Sequence, residues 1–292
     1  MNENIRMNRY NWVVYSGLTL IILSAVWIIF QNDGMIEVSA DHDLTVPFWH
    51  NWIISGILIL LMIVLPTKYT NRNPFKLLDR KMVVRQSVIL MTLAVLFTVT
   101  LLALPFESAI KYFPLLKIFL LMIGPIIMFY YFEHKGLNNK ISDHSYLENN
   151  QWIFPGMVTF TWIILYFFSP FGSPDGPEYQ MSFLTLAVGA LFSFLLNSVL
   201  EELFYRAWLQ TRLEALLGTW PAITIASVLW AVWHMAIQGG DSADIAFSNV
   251  MINQGVLGLF LGFLWAKYRN VWVLIIIHGL MNFPVQLITG YF

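Results

Sequence analysis

Apolar residues run along this chain in long blocks, and polar residues gather between the blocks rather than alternating within them. Block length decides what this means. A surface helix of a soluble domain repeats an apolar residue every third or fourth position, whereas a helix that crosses a bilayer needs about 20 mostly apolar residues in succession. Nine segments meet that requirement: 11–30, 48–66, 84–104, 112–132, 152–170, 181–200, 220–238, 247–266 and 270–289. Polar connectors such as "QNDGMIEVSADHDLTVP" and "TKYTNRNPFKLLDRK" separate them, and no internal repeat or soluble domain interrupts the series. The pattern predicts an all-α fold, a polytopic membrane helical bundle of about nine transmembrane helices.

Composition agrees and narrows the function classes. Of 292 residues, 58% are hydrophobic and 11% charged, against about 25% charged in soluble domains. The net charge of -1 says nothing of nucleic acid, but there is no basic run that could track phosphates, and no nucleic-acid partner is expected. There is no cysteine, so disulfides, thiolate nucleophiles and cysteine–zinc sites are excluded. The first apolar stretch lacks a small-residue cleavage site followed by a soluble domain, and is expected to be a retained span.

Basic residues set the expected orientation, because Lys and Arg concentrate in short cytoplasmic loops. With the N-terminus inside, fourteen fall on the inner side: Arg6, Arg9, Lys68, Arg72, Lys76, Arg80, Lys81, Arg85, Lys135, Lys140, Arg206, Arg212, Lys267 and Arg269. Only Lys111 and Lys117 fall outside. The connectors 31–47, 170–180 and 238–246 hold acids and no base. The expectation is N-terminus inside and C-terminus outside, in a bacterial plasma membrane, with Trp49, Trp52, Trp152 and Trp272 as interfacial anchors.

A charge at membrane depth costs at least ~2.5–3.5 kcal/mol on insertion scales and marks a functional candidate. Such groups are few: Glu201, Glu202, Arg206, His234 and His278, with Asn197, Asn253 and Asn282 as polar neighbours. All lie in the last third of the chain; the first five spans carry only Glu107, Lys111 and Lys117, at or near span ends. In "EELFYR", Glu202 and Arg206 are four apart and share a helix face, so they can pair, while Glu201 points elsewhere. A structural ion pair accounts for Glu202 and Arg206, and an interfacial charge is the bland account of Glu201. Trp230 and His234, and His278 and Asn282, are likewise four apart. Taken singly, they would be read as a core histidine hydrogen-bonded to a neighbouring helix and as an interhelical hydrogen-bonding patch.

Spacing joins these pieces. Gly218 suits a helix C-cap and Pro221 the first turn of the next helix. Glu201 lies 17 residues before Gly218 and His234 16 after it. In an antiparallel hairpin folded there, both sit about 24 Å from the turn. This requires one unbroken helix to residue 217, with "FYRAWLQTRLEALL" projecting toward the cytosol or the headgroups. The alternative is a span ending near 203, which would keep Glu201 and His234 apart; the long hairpin is the expectation. His278 and Asn282 lie about 12–18 Å up their own helix from a turn at Arg269–Asn270. Asn197, one turn before Glu201, suits a donor supporting the site or, equally, helix packing; Asn253 is a further candidate to line the same pocket, and Gly258 and Gly262 are expected to let helices approach closely.

The three motifs EExxxR ("EELFYR"), aromatic-xxx-His ("WAVWH") and HxxxN ("HGLMN"), in this order, resemble the CAAX-protease and bacteriocin-processing family (CPBP or ABI), which includes the Ras-converting CAAX prenyl endopeptidases. Trp230 stands where phenylalanine is more usual. The resemblance divides the chain into a CPBP-like catalytic core, 181–292, and an N-terminal five-span region, 1–180, of unassigned role. It implies intramembrane proteolysis by activated water. Glu201 would be the general base, helped by His234; His278 and Asn282 would donate to the oxyanion; Glu202 and Arg206 would hold the helix and orient the site. Asn197 and Trp230 would support these groups. No cofactor is expected. Zinc held by Glu201, His234 and His278 is the alternative, since one carboxylate and two imidazoles with an open position suit a catalytic zinc, although no HExxH is present. The implied partner is a peptide or protein substrate taken from the bilayer or its cytosolic face, with prenylated tails, pheromones and bacteriocin leaders all open. Two other functions compete: a non-catalytic bacteriocin immunity or regulatory scaffold protein, and a proton-coupled carrier, which lacks the two-fold repeat expected of many carriers.

Overall fold

A computed structural model describes residues 9–37, 45–66, 75, 79–134, 152–172, 179–238 and 242–289. Its helices are α1 (Asn11–Asn32), α2 (Trp49–Val64), α3 (Arg80–Ala103), α4 (Phe106–His134), α5 (Ile153–Phe168), α6 (Phe183–Leu217), α7 (Thr219–Gln238), α8 (Ala243–Tyr268), α9 (Val271–Met281) and the short α10 (Gln286–Thr289). Each apolar segment of the sequence carries a helix. Six of them, α1, α3, α4, α6, α7 and α8, are long and apolar enough to cross a membrane, and α2, α5 and α9 are apolar but shorter. The chain is an all-α integral membrane protein.

The connector 31–47 contains an ordered element that its polar composition hides. Met35–Glu37 (β1) and Thr45–Pro47 (β2) pair antiparallel, with Ile36 opposite Val46. Both side chains are buried with Ala25 and Ile28 of α1 and Ile252 of α8. Arg6, Lys68, Arg72, Lys76, Lys135 and Lys140, assigned above to the inner side, lie outside the described residues, as do parts of the three acidic connectors.

Three other basic residues are not loop residues at all. Lys117, Arg206 and Arg212 are buried within α4 and α6. Each has a partner that makes burial affordable: Lys117 meets Glu201, Arg206 meets Glu202, and Arg212 donates to Gln86 (2.7 Å) between the rings of Phe75 and Phe129. They carry no topological information. The second half of α6 is packed inside the protein, with Tyr205, Arg206, Leu209, Gln210, Leu213 and Glu214 all buried. Gln210 donates to Glu214 and to the Gly262 carbonyl, both at 2.8 Å, and Thr211 accepts from the Trp265 indole. The first half is the exposed one, with Leu184, Leu191 and Phe192 facing outward. That is the surface an apolar solvent requires.

Two apolar cores flank the α6–α7 hairpin. One joins α3, α4, α6 and α7 through Phe97, Leu121, Phe204, Tyr205 and Trp233. The other joins α2, α5, α8 and α9 through Leu58, Trp162, Leu261, Trp265 and Ile277. The polar residues of the site lie between them. Gly258 and Gly262 let α8 close on α7, as expected: a Cβ on Gly258 would lie 2.9 Å from Ser227 Cβ and 3.1 Å from its Cα. Gly258→Ala should therefore lower stability by about 1–3 kcal/mol, since backbone as well as side chain must move. Thermal unfolding in detergent micelles measures it.

Candidate active site

The long hairpin forms. α6 runs for 35 residues; Gly218 ends it in a left-handed conformation (φ 92°), and α7 starts at Thr219 with Pro221 in its first turn. Glu201 and α7 therefore meet at one level, and the Trp230 indole N–H donates to Glu201 Oε2. His234 holds its Nδ1 on the Trp230 carbonyl at 2.9 Å, with its ring edge-on to Trp230, centroids 5.2 Å apart. His278, from α9, packs on the same indole at 5.6 Å. Trp230 is thus the hub: it touches the carboxylate through its N–H and both imidazoles through its ring. Two π-helical stretches of α6, Phe194–Val199 and Glu202–Gln210, flank Glu201. Such widened turns recur at functional sites.

The partners differ from those the spacing suggests. Glu201 is not left alone: Lys117 of α4 forms an ion pair with its Oε1, both side chains being buried. Glu202 does face Arg206 (Nε to Oε2, 3.5 Å), but its other oxygen takes His278 Nδ1 at 2.9 Å. The Arg206 guanidinium sits over the Trp230 ring, 5.0 Å from the centroid. Asn197 accepts from Lys117 at 2.6 Å and donates to Ser193, so it supports the lysine rather than Glu201 directly. Asn253 points away from the site, bonded to Asn51 (2.7 Å) and the Glu37 carbonyl. Asn282, expected on one helix with His278, is the residue at which α9 ends. Pro284 stops the helix there, and the Asn282 side chain is exposed, with no hydrogen bond to the cluster among the described residues.

These bonds fix which nitrogens are free. A carbonyl only accepts, so His234 must present Nδ1–H to Trp230, which leaves Nε2 with a lone pair in the neutral ring. An ionised carboxylate also only accepts, so His278 likewise commits Nδ1–H to Glu202, and its Nε2 donates only when the ring carries two protons. Glu201 accepts one bond on each oxygen. A carboxylate has about four lone-pair sites, so its capacity to accept a further hydrogen bond is not exhausted.

Among the described residues no group of three or more His, Asp and Glu side chains is placed to hold a metal ion. The donor set explains this: Glu201 already faces an ammonium, and His278 is turned to Glu202. As placed, Glu201, His234 and His278 are not grouped around a shared metal position.

Lys117 is the residue that sequence reasoning missed. It sits eleven residues into the continuous helix Phe106–His134, not at a span end. The usable signal was a lysine inside "PLLKIFLLMIG" with no acid within one helical turn.

No curated protein and no solved structure matches the chain. The family model described as type II CAAX prenyl endopeptidase Rce1-like matches residues 183–284, from α6 to just past α9, and takes in all three motifs. Residues 183–284 thus form an Rce1-like segment, and it is through them that this chain resembles the CAAX-protease and bacteriocin-processing family.

Proposed function

We propose that the protein is an intramembrane endopeptidase that hydrolyses a peptide bond of a membrane-associated or lipidated substrate without a metal. The observation that carries this reading is the buried Glu201 carboxylate held beside two imidazoles by one tryptophan. Glu201, with His234 Nε2 as a second acceptor, takes a proton from water, and the hydroxide attacks the scissile carbonyl carbon. His278, doubly protonated beside the Glu202 anion, donates Nε2–H to the tetrahedral oxyanion. The abstracted proton then passes to the leaving amine as the C–N bond breaks. In this role Glu202 does more than brace α6, since it is the counter-charge of the imidazolium. Asn282 joins only if the segment after α9 turns inward on substrate binding. The nine apolar helices cross a bacterial plasma membrane with the N-terminus inside.

A second reading has one observation in its favour. In the resting site Glu201 is already committed to Lys117, as it would be in a non-catalytic immunity or scaffold protein that keeps its buried charges paired. Comparative peptidomics of membranes carrying wild type or Glu201→Gln separates the two. Glutamine keeps an acceptor for Lys117 but is no base. Specific peptides that vanish in the variant, at equal protein level, support hydrolysis and name the substrate; an unchanged peptidome supports the scaffold.

A further inference from the structure

Glu201 meets a cation only when a residue from outside the Rce1-like segment is counted. Within 183–284 the site holds two carboxylates, Glu201 and Glu202, and both the Arg206 guanidinium and the His278 imidazole face Glu202. Glu201, 1% exposed, would be left with no cation paired to it. At that depth a lone carboxylate is costly and tends to be neutralised, and a neutral carboxyl cannot take a proton from water.

Lys117 supplies the missing charge, 84 residues away in sequence. Its Nζ donates to Glu201 Oε1 and to Asn197 Oδ1, and lies 4.3 Å from the Trp233 ring centroid and 5.1 Å from that of Phe113. Two acceptors and two aromatic faces enclose the ammonium, which suits a buried cation. The lysine opens a π-helical stretch, Lys117–Ile123, three residues after Pro114 in the same continuous helix.

We propose that Lys117 is a positioning residue for hydrolysis: the N-terminal helices deliver its ammonium to Glu201, holding that carboxylate charged and aimed, so that the catalytic unit includes α4 as well as α6–α9. This rests on the hydrolytic reading above, and it gives the N-terminal region a part in the chemistry.

The test uses the full chain as wild type, Lys117→Met, Lys117→Arg, Glu201→Gln and the Lys117→Met/Glu201→Gln double variant. Thermal unfolding in detergent micelles reads the pair. Lys117→Met should lower Tm by about 5 °C or more, and adding Glu201→Gln should return at least about half of that loss, because removing both partners leaves no lone charge. The membrane peptidome, taken well below the Tm of each variant, reads the chemistry. Peptides that Glu201→Gln removes should fall about 100-fold with Lys117→Met, as a misaligned base does. Lys117→Arg, which keeps the charge, should restore them to within about tenfold of wild type. Strictly additive Tm losses, or wild-type peptide levels in folded Lys117→Met, overturn the proposal. If Lys117→Met alone does not fold, a double variant that folds supports the pair, and one that does not overturns it. If Glu201→Gln leaves the peptidome unchanged, the hydrolytic reading falls first and takes this one with it, whatever the Tm values show.

Discussion

Arg206→Met is expected to lower stability by about 3–5 kcal/mol, because it takes the guanidinium away from the buried Glu202 carboxylate. Both side chains are fully buried, so water cannot compensate. The guanidinium makes no hydrogen bond among the described residues and is held by charge: Glu202 on one side at 3.5 Å and the Trp230 face at 5.0 Å on the other. A buried pair of that kind is expensive to break and cheap to replace. Glu202→Leu/Arg206→Met should therefore recover most of the loss, ending within about 1–2 kcal/mol of wild type. Unfolding in micelles, followed by tryptophan fluorescence, measures both, with Trp230 itself as a reporter. If the single variant loses no more than an exposed pair would, below about 1 kcal/mol, Glu202 is not in the water-poor setting described.

Much of this arrangement was legible in the amino-acid order. Apolar block length located each helix, because the bilayer fixes helix length more tightly than any soluble core does. The distances from Gly218 to Glu201 and to His234 placed two elements of the site at one level, since a continuous antiparallel hairpin leaves little freedom once its turn is known. What stayed hidden depends on contacts between helices distant in sequence. The meeting of Lys117 with Glu201 needs the packing of α4 on α6, which no local spacing encodes. Whether His278 would turn to Glu201 or Glu202 depends on how α9 rotates, and adjacent residues of α6 point about 100° apart. Asn282 was misplaced for a local reason that could have been weighed: Pro284, two residues on, forbids the helix to continue. The basic residues misled because pairing, not exposure, decides where they sit. Arg212 looks like a loop arginine until Gln86 and the two aromatic rings around it are known.

Glu201→Gln is expected to slow hydrolysis by about 10²–10⁴-fold, the usual worth of a positioned general base. His278→Ala should slow it by about 10²–10³-fold, as loss of one oxyanion donor does. Rates of release of the peptides identified by the peptidome comparison measure both. The informative step is how they combine with the neutral pair Glu202→Leu/Arg206→Met, which keeps the fold but removes the anion at His278 Nδ1. If Glu202 acts through His278, the neutral pair alone should cost nearly as much as His278→Ala, and the triple variant should lose little more, because groups that act as a unit are not additive. Near wild-type rates in the neutral pair would leave Glu202 and Arg206 as a brace for α6 alone, and His278 would then have to donate without the help of a neighbouring charge.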